Sequence, residues 1–280
     1  MDIGIVGLGL IGGSLAGAFK KAGHKVYGTD TEKRIMDFAL MAGSVDEELS
    51  QDNLSLCEAV FLAVSPSSSI DWLRSNFKSI TEGAMVIDCC GTKRKICREG
   101  FSLAKEGGFH FVGGHPMAGK QVGGYRNSSP ELFKGALFAI VPDKNSEDQG
   151  DVVLMMEIQK LLKDAGFTRF AVMTPEEHDE IIAFTSQMAH LISNAYIKSP
   201  MAEIGVGTEL SGGAFRDMTR VAYLDENMWT ELFMDNKDNL LSELTGFIGE
   251  LEKYKEALER EDSNKLTELL LEGKKRKEEI

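Results

Sequence analysis

The hexapeptide GLGLIG, residues 7–12, constrains the fold of this chain more than any other feature. It follows the apolar run IGIV at the start of the sequence and opens a helical pattern that runs to Gly23. A second strand-like run, KVYGTD, ends in Asp30, 18 residues beyond Gly12. Strand, glycine turn, helix, strand and acid in that order make a weak G-x-G-x-x-G pattern into a dinucleotide-binding fingerprint. Gly7 allows the tight turn, Gly9 lets the backbone approach a pyrophosphate, and Gly12 lets the helix pack closely on the strand. The helix start, with Leu10 and Ile11 in its first turn, offers free N–H groups and the positive end of its dipole to phosphate. Asp30 is placed to accept hydrogen bonds from ribose hydroxyls and to repel a 2′-phosphate, which favours NAD over NADP. Lys33 and Arg34 lie near enough to soften that preference.

Further strand candidates follow at 59–64, 84–89, 109–113, 136–141 and 169–173, with helical stretches between most of them. Several are near-continuous apolar runs, as in strands covered on both faces. The fold class is therefore α/β: an N-terminal Rossmann-type, doubly wound, mostly parallel sheet. At Thr174 the pattern changes. TPEE supplies an N-cap threonine, a proline at the first helical position and Glu177 at N3, a capping box. No convincing strand follows, so the boundary falls at 173/174. Residues 1–173 form the dinucleotide-binding domain and 174–280 an all-helical one. Leu240, Leu244, Phe247, Leu251, Tyr254 and Leu258 repeat in a heptad-like seam that suits either packing within the domain or a homodimer surface.

Composition narrows the partners. The net charge is −13, against the basic face that nucleic-acid binders present. The basic run KKRK at 274–277 reads as a solvated helix end, where cations suit the dipole. No apolar run is long enough to span a bilayer, and the N-terminal run lacks the basic flank of a secretory signal. The four cysteines, Cys57, Cys89, Cys90 and Cys97, have no CxxC spacing. They read as small apolar residues of a reducing cytoplasm, with no metal site. The chain is expected to lack both a fused mutase before its first strand and a regulatory domain after its last helix.

Ligands of open α/β sheets sit beyond the carboxyl ends of the strands. Val64, Ser65 and Pro66 are thus expected against the cofactor, with DCCGTK (88–93) and GGHPMAGK (113–120) on the same edge. The second of these, loop-like in its glycines and proline, reads as the end of a sheet strand that brings His115 to the nicotinamide end, its glycines leaving room for cofactor and substrate ring. The helix after Thr174 is apolar nearly all round and reads as buried, except for Ser186, His190 and Asn194 at steps of four, with Gln187 beside them. Such a stripe needs partners, either structural ones or a ligand in a cleft. GGAFRDMTR (212–220) carries Arg216, Asp217 and Arg220. Arginine suits a two-pronged grip on a carboxylate, though a surface ion pair with Asp217 explains the segment as well.

Taken in order, GLGLIG, DCCGTKR, GGHPMAG, HDEIIAFTSQMAH (178–190) and GGAFRDMTR with Trp229 resemble the prephenate/arogenate dehydrogenases of tyrosine biosynthesis, over nearly the whole chain. The resemblance implies NAD-dependent oxidative decarboxylation of a cyclohexadienol, with a homodimer built by the helical domain. It implies that His115 takes the proton of the ring hydroxyl, that Arg220 grips a substrate carboxylate and that His190 lines the pocket. Asp217 and Trp229 support that pocket. Two departures stand out. Gly91 occupies a position where many members have a serine partner for the hydroxyl, leaving Thr92 or a water to substitute. Gln121 stands where some members carry an acid suited to the ammonium group of arogenate, which favours prephenate over arogenate. Competing readings are a β-hydroxyacid dehydrogenase and a non-catalytic NAD-binding protein. The first needs a lysine on the interdomain helix, whose only lysine is Lys198 near its end.

Overall fold

The computed structural model describes residues 1–143, 149–198 and 213–279. The seven expected strands form, as β1 (Asp2–Val6), β2 (Lys25–Thr29), β4 (Ala59–Leu62), β5 (Met85–Asp88), β6 (His110–Pro116), β7 (Leu137–Val141) and β8 (Arg169–Val172). A two-residue strand that the sequence reading missed, β3 (Glu47–Glu48), completes one eight-stranded sheet of order β3-β2-β1-β4-β5-β6-β7-β8. All pairings are parallel except β6 with β7. The order reverses between β1 and β4, the crevice in which doubly wound sheets take nucleotides.

Successive side chains of a strand face opposite ways, and here both faces are covered. Ile3, Ile5, Phe61 and Ile87 pack on one face with Leu15 and Phe19 of the helix Leu10–Lys21. Val60, Leu62 and Val86 pack on the other with Ile70 and Leu73 of the helix Pro66–Asn76. That double burial explains why these strands read as unbroken apolar runs rather than alternating ones.

Strand β6 runs three residues past the expected end at Gly113, so His115 lies within the strand. Residues 110–112 pair in parallel with β5, then Gly113–Pro116 pair antiparallel with β7, His115 lying opposite Ala139. Gly113 and Gly114 serve this packing and not an open cleft. A side chain on Gly113 would strike Cys97 Sγ at 2.5 Å, and one on Gly114 would strike the Asp88 carbonyl at 2.4 Å. Gly119 alone of the three faces open space.

Thr174 caps the next helix as its sequence requires, with its side chain accepting from Glu177 N and Pro175 at the first position. The helix runs as Pro175–Ile182, a π-helical turn Ala183–Gln187, and Met188–Tyr196. The extra residue of a π turn shifts the helix phase. Gln187 thereby turns inward to full burial, while Ile181 and Phe184 are exposed, so the helix is not buried all round. Only helices follow among the described residues: Gly213–Thr219, Glu226–Asp235, Lys237–Glu259 and Ser263–Glu278. Gly212, which opens GGAFRDMTR, lies outside the described residues. The seam splits: Leu240 is buried within the domain, whereas Leu251 and Leu258 are exposed. Lys275, Arg276 and Lys277 do occupy a last helical turn. No helix among the described residues is long and apolar enough to cross a membrane.

Candidate active site

The glycine turn has the shape its spacing requires. Gly7 sits at φ +85°, and a side chain there would meet Val64 Cγ1 at 2.4 Å. A Cβ on Gly12 would come within 1.8 Å of the Gly7 carbonyl, so helix and turn touch backbone to backbone. Nothing lies within 4 Å of the space above Gly9. The helix that starts at Leu10 has no side-chain cap and no acid in its first turn, which leaves its N–H groups to an anion. Asp30 accepts from Leu8 N at 2.8 Å and from Glu32 N at 2.9 Å, which fixes its carboxylate beside the turn. Ser65 caps the helix that Pro66 begins. These residues fit a dinucleotide: an open cradle, unused donors and an oriented acid.

His115 does not stand alone, and its partners escaped the sequence reading. Its Nδ1 lies 2.9 Å from Nε2 of His178, whose Nδ1 lies 2.8 Å from Asp179 Oδ1. His178 and Asp179 are each only 1 % exposed. Asp179 also accepts from Lys93 N at 2.7 Å and Arg94 N at 3.0 Å, at the start of the helix Arg94–Gly107. That helix has no cap of its own, so the acid of one domain caps a helix of the other. Burial would raise the Asp179 carboxyl, but the His178 bond and these N–H donors outweigh it and hold the group below its ordinary value. An ionised Asp179 makes His178 Nδ1 a donor. His178 Nε2 must then accept from His115 Nδ1, and the lone pair of His115 is left on Nε2. Burial, then His178 and the Lys93 cation, push the pKa of His115 well below the ordinary histidine value. The His115 imidazole is therefore neutral at pH 7.

The floor under His115 is a second ion pair. Asp88 and Lys93 are both fully buried and in direct contact. Asp88 also accepts from Cys90 N at 2.9 Å and Gly114 N at 3.1 Å, tying the end of β5 to the residue before His115.

A second cluster of the expected residues lies in the helical region. His190 stacks on Trp229 with ring centroids 3.8 Å apart, and its Nδ1 donates to the Ser186 carbonyl at 2.9 Å. Burial lowers the His190 pKa against that bond, with help from nearby Arg220. Arg220 opens the 3-10 turn Arg220–Ala222. Gln121 donates to the Arg220 carbonyl at 2.9 Å, and Asn194 reaches the Ala222 carbonyl at 3.4 Å. Gln121 thus joins the segment after His115 to the arginine's backbone. Thr92 is buried, and its hydroxyl has no partner among the described residues. A side chain on Gly91 would meet Leu232 at 3.2 Å, so a serine here would crowd the opposite domain. Asp217 is exposed and, among the described residues, forms no ion pair with Arg216 or Arg220. Neither a pocket role nor that surface pair is seen for it.

His178 and Asp179 left a signal in the sequence. They stand one turn before Ile182 and Ala183, on the face the helix buries. Two polar residues on a buried face need partners.

The chain matches two family descriptions, "Prephenate dehydrogenase, nucleotide-binding domain" over residues 15–166 and "Prephenate dehydrogenase, dimerization domain" over 174–272. It is 29% identical to the prephenate dehydrogenase of Bacillus subtilis, covering 94% of this chain and 71% of that protein. It is 27% identical to the cyclohexadienyl dehydrogenase of Zymomonas mobilis, covering 98% and 94%. Among solved structures it superimposes on the prephenate dehydrogenase of A. aeolicus, crystallised with hydroxyphenyl propionate and NAD+. The TM-score is 0.81 at 29% identity, with 100% of this chain and 98% of that one covered.

Proposed function

The chain belongs to the prephenate dehydrogenase family, and from that premise we propose that it converts prephenate to 4-hydroxyphenylpyruvate with NAD as its cofactor. The observation that carries this reading is the chain His115–His178–Asp179, which leaves an unprotonated Nε2 on His115 at the cofactor edge of the sheet. When bound, NAD supplies the hydride acceptor, and the turn Gly7–Gly12, Asp30 and the Val64–Pro66 edge are the residues that would hold it.

His115 Nε2 would draw the proton of the ring hydroxyl as hydride leaves the carbon that bears that hydroxyl and the ring carboxylate departs as CO2, and would then return the proton to the phenolate oxygen, so that no net proton is lost. The imidazolium so formed keeps its Nδ1–H on His178, whose own bond to Asp179 spreads the charge toward an anion. Arg220 grips a substrate carboxylate and fixes the ring. It acts more on position than on rate, because an over-stabilised ring carboxylate would not leave as CO2. His190 and Trp229 form an aromatic wall for the ring, and the unpartnered Thr92 hydroxyl stands in for the serine that Gly91 lacks. The domain boundary belongs at 173/174, where the capping box starts the interdomain helix. Homodimerisation through the helical domain is supported by the exposed apolar residues Ile181, Phe184, Leu251 and Leu258.

Three measurements bear on these roles. Reduced-nicotinamide formation with prephenate and arogenate, each with NAD and NADP, should favour prephenate with NAD. A clear preference for arogenate would overturn the reading of Gln121. For Arg220→Ala the main effect should be a rise in KM, and a change confined to kcat would sink its positioning role. The acid limb of kcat/KM should lie below the ordinary histidine value of about 6.5, because a depressed pKa keeps His115 unprotonated until more acid is added. A limb at or above that value contradicts the half-buried, cation-flanked base.

A further inference from the structure

We propose that Arg94 is a positioning residue that tunes His115 from the outer side of the domain junction, by setting the charge balance of Asp179 behind His178. The proposal rests on the reading of His115 as the base. Arg94 reaches Asp179 Oδ2 with Nε at 3.2 Å. The same guanidinium donates to Asp238 Oδ2 through Nη1 at 2.7 Å and to Asn236 Oδ1 through Nη2 at 2.9 Å. It therefore spans the cofactor domain, the interdomain helix and the junction between Glu226–Asp235 and Lys237–Glu259.

Anchoring alone does not require this side chain. The backbone N–H groups of Lys93 and Arg94 already occupy both oxygens of Asp179. What the guanidinium adds is a cation beside the carboxylate that backs His178. Its place is fixed by Asn236, which is fully buried and whose amide donates to the Asp179 carbonyl at 2.7 Å and to Gln187 Oε1 at 2.9 Å. Arg94 is shared, since Asp238 draws on the same charge. The pair Arg94–Asp238 thus works as a divider: the more of the cation Asp238 holds, the more basic Asp179 and the histidines become.

Several other charges face this chain. The Asp88–Lys93 pair lies under Gly114. Lys95 and Asp235 pair at 3.1 Å alongside. Glu176 and Glu177 sit in the first turn of the interdomain helix, and Arg220 lies beside His190. None of these except Lys93 shares a hydrogen bond with Asp179, so among the described residues Arg94 is the one side-chain cation of Lys or Arg type bonded directly to that acid.

The test is the pH profile of kcat/KM for the full-length enzyme with prephenate and NAD. Arg94→Gln keeps both backbone donors and removes the charge. Its acid limb should move up by roughly 0.5–1 pH unit, so that activity relative to wild type falls several-fold further at low pH than at high pH. Arg94→Lys should return the limb toward wild type. Asp238→Asn releases the guanidinium to Asp179 and should move the limb the other way, which keeps the proposal testable if Arg94→Gln does not fold. An equal loss at every pH in Arg94→Gln, or an unmoved limb in Asp238→Asn, overturns the proposal. Such results beside an inactive His115→Asn leave the base assignment standing. Near-normal turnover by His115→Asn would instead overturn the base itself, whatever Arg94 does.

Discussion

Replacing His115 by asparagine should lower kcat by roughly 10²–10⁴-fold, the range for loss of a positioned general base, with little change in KM. Asparagine keeps a polar group of similar reach but takes up no proton at working pH. The effect should be confined to turnover, because the cofactor cradle is built by other residues: Gly7, Gly9 and Gly12 shape the turn, and Asp30 is held by Leu8 N and Glu32 N. Steady-state rates at saturating cofactor, with cofactor binding measured separately, check this. His178→Asn should show a smaller loss of the same kind, because it breaks the bond that orients His115 without removing the base. A His115 variant that binds cofactor and still turns over at the wild-type rate would show that the proton leaves by another path.

The second large effect concerns stability. Lys93→Met should destabilise the fold by about 3–5 kcal/mol, the cost of leaving a buried partner charge uncompensated. Asp88 is fully buried, and after the change it would keep neutral partners such as Cys90 N and Gly114 N but no cation among the described residues. Denaturant unfolding measures the loss as a shift of the midpoint at constant slope. Adding Asp88→Asn to Lys93→Met should recover part of it, since removing both charges is far less costly than removing one. The double variant should still turn over poorly, because the Asp88 carboxylate also fixes Gly114, next to His115. A single variant as stable as its parent would mean that the pair is not what holds the end of β5 against β6.

The two halves of the molecule differ in how much their sequences disclose. GLGLIG, the apolar strands and the TPEE cap are local patterns, and each local pattern demands its element. The sheet and the helix start at Thr174 were legible for that reason. His115 was legible as a residue at the end of a strand but not as one paired with β7, because Gly113, Gly114 and Pro116 look like turn residues. Their reason is tertiary: Cys97 and Asp88 press where side chains would be, and the antiparallel partner β7 arrives only after a long excursion of chain. His178 and Asp179 were quoted within a motif yet given no role. Their partners lie 63 and 86 residues away, at His115 and Lys93, and no periodicity reveals such a pairing. The polar stripe misled in a different way. Across the π turn Gln187 comes inward while Phe184 is on the surface, which an unbroken 3.6-residue period does not anticipate.

The most direct test of the proposed chemistry is a single stoichiometric assay with NAD, in which prephenate is compared with a β-hydroxyacid panel while reduced nicotinamide and released CO2 are both measured. With prephenate the two products should appear one for one, and the β-hydroxyacids should give neither. Reduced nicotinamide from a β-hydroxyacid and none from prephenate would contradict the assignment.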